Sequence, residues 1–193
     1  MGAYQHVIVL LSFIYALALT HLFTRIGALL LARERVTFST LLAMAQANAI
    51  LTVCLNWLFL WNLHDIQVWQ ITPIIIELAF ASAVFFLCIF CAPDVAADDP
   101  VDMEAFYWRQ RVPFYGAALA VQLIGMAGLA VYAVTANSGV TASTALPVVA
   151  MVVPTALALL MRARWAQWAG AVGYFVLMLV GWMPNLTVGG LHG

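Results

Sequence analysis

The chain is 193 residues long, 66% of them hydrophobic and 8% charged, whereas a soluble domain carries about 25% charged residues. Lipid rather than water is therefore the medium for most of it. The net charge is -1, the seven basic residues are all Arg, and they form no stripe, so nucleic acid is set aside as a partner.

A helix that crosses a bilayer needs about 20 apolar residues, with roughly 17 to 25 tolerated. Six segments qualify, at 7–32, 38–63, 73–92, 113–135, 145–161 and 166–183. The first basic residue, Arg25, follows the opening apolar run. Without a positive n-region ahead of it, that run is expected to stay in the mature protein.

Within the first segment, small residues recur at every fourth position, at Ser12, Ala16, Thr20, Thr24, Ala28 and Ala32. Such a stripe predicts close approach by a neighbouring helix. His21 and Arg25 lie beside it, four residues apart and on one face. An ionisable side chain inside a bilayer is costly unless paired or wet, so this face is expected to look into the bundle. Arg25 has a second reading, in which its long stem reaches the inner headgroups.

The second segment carries Gln46, Asn48 and Asn56, with Cys54 between the last two. In the third, Thr72 reads as a helix N-cap and Pro73 as the first helical residue. Glu77 follows about one turn in, where a helix N-terminus favours a carboxylate, at a depth similar to that of Asn56. Those two make an outer polar pair. Cys88 and Cys91 form an isolated CxxC, read either as a weak redox or metal motif or as ordinary packing by small hydrophobes.

The longest break holds Asp94, Asp98, Asp99, Asp102 and Glu104. It is a solvated connector or a surface where a partner docks. Asp99 and Pro100 predict the start of a short interfacial helix over 100–111 that ends before Pro113, within an acidic cytoplasmic loop at about 93–112. The fourth segment carries Gln122; the fifth holds Pro147 and Pro154 and is expected to be bent. In the sixth, Ala169, Gly173 and Gly181 continue an every-fourth-residue pattern, with Tyr174 beside it.

Counted inward at about 1.5 Å per residue, His21, Asn48 and Gln122 reach nearly the same depth, with Gln46 and Tyr174 within about a turn. Together with Arg25 toward the inside and Glu77 toward the outside, they form the candidate intramembrane polar site. One reading is a hydrated pocket for a proton or small polar solute. The other is interhelical hydrogen bonding, at about 0.6 kcal/mol per bond.

Arg33 and Arg35 lie in the first break, Arg109 and Arg111 in the third, and Arg162 and Arg164 in the fifth, while the second and fourth hold none. Positive residues mark the cytoplasmic side, so both termini are expected in the periplasm. Trp108, Trp165 and Trp168 at the inner ends, and Trp61, Trp69 and Trp182 at the outer ends, agree with this. His6, His64 beside Asp65, and His192 map to the outer surface without metal-ligand spacing. No metal and no cofactor is expected, although an outer His6 and His64 pair leaves one haem arrangement open.

The stretches YALALTHLFTRIGALLLARERV and PVDMEAFYWRQRVPFY resemble parts of small bacterial multi-pass inner-membrane proteins that have no assigned activity. The resemblance implies a location in the bacterial inner membrane and no reaction.

The expected fold is all-α, a polytopic bundle of six transmembrane helices forming one domain over 1–193. No GxSxG, no HExxH and no paired acids at one depth nominate a reaction. The expected function is a channel or carrier for a proton, ion or small polar solute passing His21, Arg25 and Glu77. The alternative is a non-enzymatic accessory or assembly subunit of a larger membrane complex. Expected partners are the lipid bilayer and a second copy or another membrane protein.

Overall fold

Long apolar runs in a medium without water leave the backbone only itself to bond with, and helices result. The computed structural model describes residues 3–60, 70–95, 99–135 and 142–182. Among these are six α-helices: α1 (Ala3–Leu31), α2 (Thr40–Phe59), α3 (Ile71–Phe90), α4 (Met103–Thr135), α5 (Ala142–Leu160) and α6 (Arg164–Trp182). The fold is all-α. Four helices, α1 to α4, are long and apolar enough to cross a membrane, and α5 has a shorter apolar stretch, Ala145–Leu160.

The helices form a closed ring in which α1 packs on α3, α3 on α4, α4 on α5, α5 on α6, α6 on α2 and α2 on α1. α2 also touches α3 and α4, which makes it the innermost helix. Gln46, Asn48, Thr52 and Asn56 are therefore buried, and each donates a hydrogen bond, although Asn48 Oδ1 has no partner among the described residues. Thr52 Oγ1 donates to the Asn48 carbonyl at 2.8 Å and Asn56 Nδ2 to the Thr52 carbonyl at 2.7 Å, an i, i+4 ladder up one face.

α5 and α6 make the closest pair. A Cβ on Gly170 would lie 2.4 Å from Ala158 Cβ, and one on Gly181 would lie 2.3 Å from Pro147 Cβ. Only glycine lets the proline-bearing face of α5 come so near. Gly173 belongs to the same contact, its Cβ position 3.0 Å from Pro154 Cβ, whereas Ala169 is exposed. The close-contact stripe thus runs through Gly170 rather than Ala169.

At one end of the bundle α4 locks α5 and α6 together. Arg111 Nη1 donates to the carbonyls of Ala158, Leu159 and Met161 at 2.6, 2.9 and 3.2 Å. Gln167 Nε2 donates to the Ala158 carbonyl at 2.9 Å, and its Oε1 accepts from Tyr107 at 2.7 Å. Carbonyls left over at a helix C-terminus need such donors.

Three expectations are corrected. The small-residue stripe of α1 meets neighbours only toward its ends, where Ser12 accepts from Trp57 Nε1 of α2 at 3.3 Å and Ala32 is buried; Ala16, Thr20 and Thr24 are exposed, and the buried face runs through Leu11, Tyr15, Ala18 and Leu22. Larger side chains bury more area against α3 and win that face.

The segment after the acidic break is not a separate short helix. Val101–Asp102 pairs in parallel with Val36–Thr37. α4 then starts at Met103, with Asp102 Oδ1, not Asp99, accepting from Ala105 N at 2.9 Å, and runs on through Pro113. Proline removes one helical bond. The buried contacts of Tyr107 and Arg111 before it and of Phe114 and Tyr115 after it hold the helix together.

α3 begins at Ile71 with Gln70 at the cap position, which places Thr72 and Pro73 inside the first turn. Proline is tolerated there because first-turn N–H groups have no helical acceptor. Trp61, His64, Asp65, Trp69, Asp98, Trp182's side chain and His192 lie outside the described residues.

Candidate functional site

All six helices contribute to one cavity. It is lined by Tyr15 of α1, Asn56 and Phe59 of α2, Leu60 just beyond it, Ile76, Glu77 and Phe80 of α3, Val121, Gln122, Ile124, Gly125, Gly128 and Leu129 of α4, Val148 and Met151 of α5, and Tyr174 and Met178 of α6. The space open to the centres of water-sized molecules is about 60 Å³. One water needs roughly 10–15 Å³ on that scale, so a few waters or one small molecule fit.

The cavity lies toward the bundle end that holds the C-terminus of α2 and the N-termini of α3 and α5. Glu77 stands in the second turn of α3 and Asn56 in the last turn of α2. Glycine shapes the wall between α3 and α4. A Cβ on Gly125 would come 3.2 Å from Phe80 Cε2, and one on Gly128 3.5 Å from Ile76 Cγ2.

The polar groups are few and mostly oriented. Glu77 is buried, and it is the one acid of the described lining, which contains no Arg, Lys or His. Thr155 Oγ1 donates to the Met151 carbonyl at 2.8 Å. Its single proton being used, it can only accept from Gln122 Nε2, 2.7 Å away. The amide orientation of Gln122 follows, and Oε1 is left buried with no donor among the described residues. A buried acceptor without a partner costs roughly 1–3 kcal/mol.

The same counting orients Tyr174. Thr52 spends its proton on the Asn48 carbonyl, so across the 3.1 Å contact between the two hydroxyls Tyr174 is the donor. Tyr174 Oη is then an acceptor toward any further group. Asn56 commits one amide N–H to the Thr52 carbonyl.

Of the seven candidate site residues, three line the cavity: Glu77, Gln122 and Tyr174. Gln46 and Asn48 are buried beside α2's neighbours and bonded to main chain, Gln46 Nε2 to the Cys91 carbonyl at 3.0 Å and Asn48 Nδ2 to the Ala171 carbonyl at 2.9 Å. Arg25 is drawn away to Asp94, whose side chain is largely exposed. His21 is half-buried on α1 and outside the lining.

Tyr15, Thr52 and Thr155 were not singled out by sequence. Thr52 was accessible to sequence reasoning, since Asn48, Thr52 and Asn56 repeat at every fourth position. Thr155 and Tyr15 carry no such signal. Cys88 and Cys91 are buried, and Cys91 Sγ lies 3.4 Å from the Cys88 carbonyl, the packing of small hydrophobes. No protein-family model, no curated protein and no solved structure matches this chain.

Proposed function

We propose that the protein is an integral membrane protein whose six helices all span the bilayer, with both termini on the outer face, and that it is a channel or carrier for a small polar solute or ion. The cavity reached by every helix carries this reading, because transport needs a polar site deep in the bundle that neighbouring helices can open and close. Glu77 is the centre of that site rather than His21. An intramembrane carboxylate in an apolar wall is expensive to keep and is retained where it serves a solute path.

The spans of α5 and α6 are each 19 residues, about 28 Å at 1.5 Å per residue, close to the roughly 30 Å of a hydrocarbon core. The inner membrane of a bacterium is the proposed location, on the strength of the sequence resemblance and the Arg distribution. On this topology the cavity opens from the outer half of the bundle.

The test is flux into proteoliposomes of protons, common ions and small polar solutes. Wild-type flux above that of empty liposomes, lost in Glu77→Gln and kept in His21→Gln, is the expected result. Loss in His21→Gln with retention in Glu77→Gln would move the path to the other side of α1. Flux no greater than that of empty liposomes would remove the transport reading in favour of an accessory subunit.

A further inference from the structure

We infer that the turn between α5 and α6 holds the phosphate of an anionic phospholipid, with Arg162 and Arg164 as donors and the outward face of α6 under its acyl chains. The inference rests on the reading that α5 and α6 cross the bilayer, since the turn then lies at headgroup level.

Unbalanced positive charge is the first argument. Three guanidinium groups gather at this turn. Arg111 lies beneath it, buried, with Nη1 3.2 Å from the carbonyl of Met161, the residue before Arg162. Its partners are main-chain carbonyls, not an acid. Arg162 is exposed and has no ion pair among the described residues. The side chain of Arg164 is 72% exposed, and its nearest carboxylate oxygen, on Glu104, is 3.6 Å away, beyond hydrogen-bond distance. Glu104 already accepts from Ser39 and Trp108. One shared carboxylate therefore stands against three cations. The carbonyls that end α5, which would repel an anion, are covered by Arg111 and Gln167.

The surroundings of that charge separate a lipid from a free phosphate. Trp165 and Trp168 are exposed directly after the two Arg, and Val172, Val176 and Val180 continue the exposed row along α6. These positions recur about once per turn, so they make one face. Indoles settle at the headgroup level, one end apolar and the N–H free to donate. Hydrocarbon surface thus begins within a turn of the guanidinium groups. A free phosphate would use the Arg alone, whereas a phospholipid uses the Arg, the indoles and the valine row. Basic residues at the ends of spans favour anionic headgroups by about fivefold each, so two give roughly 30-fold. A zwitterionic headgroup offsets its phosphate with its own ammonium and gains less.

The test uses the full-length protein in detergent, offered equal amounts of dioleoylphosphatidylglycerol and dioleoylphosphatidylcholine, with native mass spectrometry counting the lipid retained. Phosphatidylglycerol should be retained at least tenfold more tightly. In Arg162→Gln/Arg164→Gln that preference should fall at least tenfold. Arg33→Gln/Arg109→Gln removes the same charge from exposed positions at the same end of the bundle and should leave it unchanged. Thermal unfolding of each variant is followed in parallel, and Arg162→Gln alone, with an expected loss of about fivefold, replaces the double variant if that fails to fold. Equal retention of the two lipids by wild type overturns the inference, and so does an equal loss in both double variants, which would reduce the effect to diffuse charge. Displacement of phosphatidylglycerol by millimolar inorganic phosphate would make this a free-phosphate site and overturn the lipid assignment. Reporters in the turn and at the C-terminus that answer from the same side of the membrane would overturn the spanning reading itself. Reporters on opposite sides, with no lipid preference, would leave the spanning reading standing and overturn this inference alone.

Discussion

Arg111 Nη1 lies 2.6 Å from the carbonyl oxygen of Ala158, so a charged side chain from α4 closes the C-terminal end of α5. The contact is buried, Arg111 being 6% exposed, and the same nitrogen reaches two further carbonyls. The end of a helix has unbonded carbonyls and a partial negative charge, and the guanidinium answers both. Arg111→Met keeps most of the stem and leaves those carbonyls short of a donor. It should lower stability by about 2–3 kcal/mol, measured by unfolding in detergent. Arg111→Lys keeps the charge without the planar fork and should recover part of the loss. Equal stability of Arg111→Met and wild type would show that Gln167 alone is a sufficient cap.

The α5 and α6 contact predicts a reversal of an ordinary rule. Gly→Ala within a helix usually stabilises by about 1 kcal/mol. At Gly170 the new Cβ would meet Ala158 Cβ at 2.4 Å and the Pro154 carbonyl oxygen at 2.8 Å, and at Gly181 it would meet Pro147 Cβ at 2.3 Å. Gly170→Ala and Gly181→Ala should therefore each destabilise, by roughly 1–3 kcal/mol, as overpacking does. Gly27, with nothing within 4 Å of its Cβ position, is the control, and Gly27→Ala should be neutral or stabilising. The same sign at all three positions would contradict the close packing of α5 on α6.

The helices were legible because length and apolarity alone predict them, and their described ends fall within a few residues of the expected ones except at α4, which starts at Met103 where a span from 113 is expected. Which face of a helix turns inward was not. In lipid both faces are apolar, so the periodicity that marks the core face of a soluble helix is weak. That is why the α1 stripe of Ala16, Thr20 and Thr24 reads in the sequence as a contact, whereas Leu11, Tyr15 and Leu22 are the buried residues. Polar residues in an apolar run stand out, so Glu77, Asn56, Gln122 and Tyr174 could be named. Their grouping could not be found from depth alone, since rotation about each helix axis is a second coordinate. His21 and Gln122, placed at one depth by counting, differ in it: Gln122 lines the cavity and His21 does not.

The proposed six-span topology predicts both termini outside the cytoplasm. A C-terminal reporter that works only in the periplasm should be active, and one that works only in the cytoplasm should be silent. The reverse pattern would invert the bundle and place the cavity in the half facing the cytoplasm.

Gln122 separates a binding wall from a packing device. Its Nε2 joins α4 to Thr155 on α5 at 2.7 Å, while its Oε1 is buried without a donor among the described residues. In Gln122→Leu the bond to Thr155 is lost, a bond worth about 0.6 kcal/mol between membrane helices. The uncompensated acceptor, which costs roughly 1–3 kcal/mol, is lost with it. Thr155 keeps its own donation to the Met151 carbonyl, so the substitution strands no proton. The balance favours the variant: Gln122→Leu should be as stable as wild type or more stable, by up to about 2 kcal/mol. If the amide serves a solute, that gain comes with weaker solute binding, the pattern of a site that holds a polar group in reserve at the expense of stability. Unfolding and solute binding measured on the same preparation decide it. A variant that loses stability, with solute binding unchanged, would make Gln122 a structural link between α4 and α5 and leave Glu77 to carry the site without it.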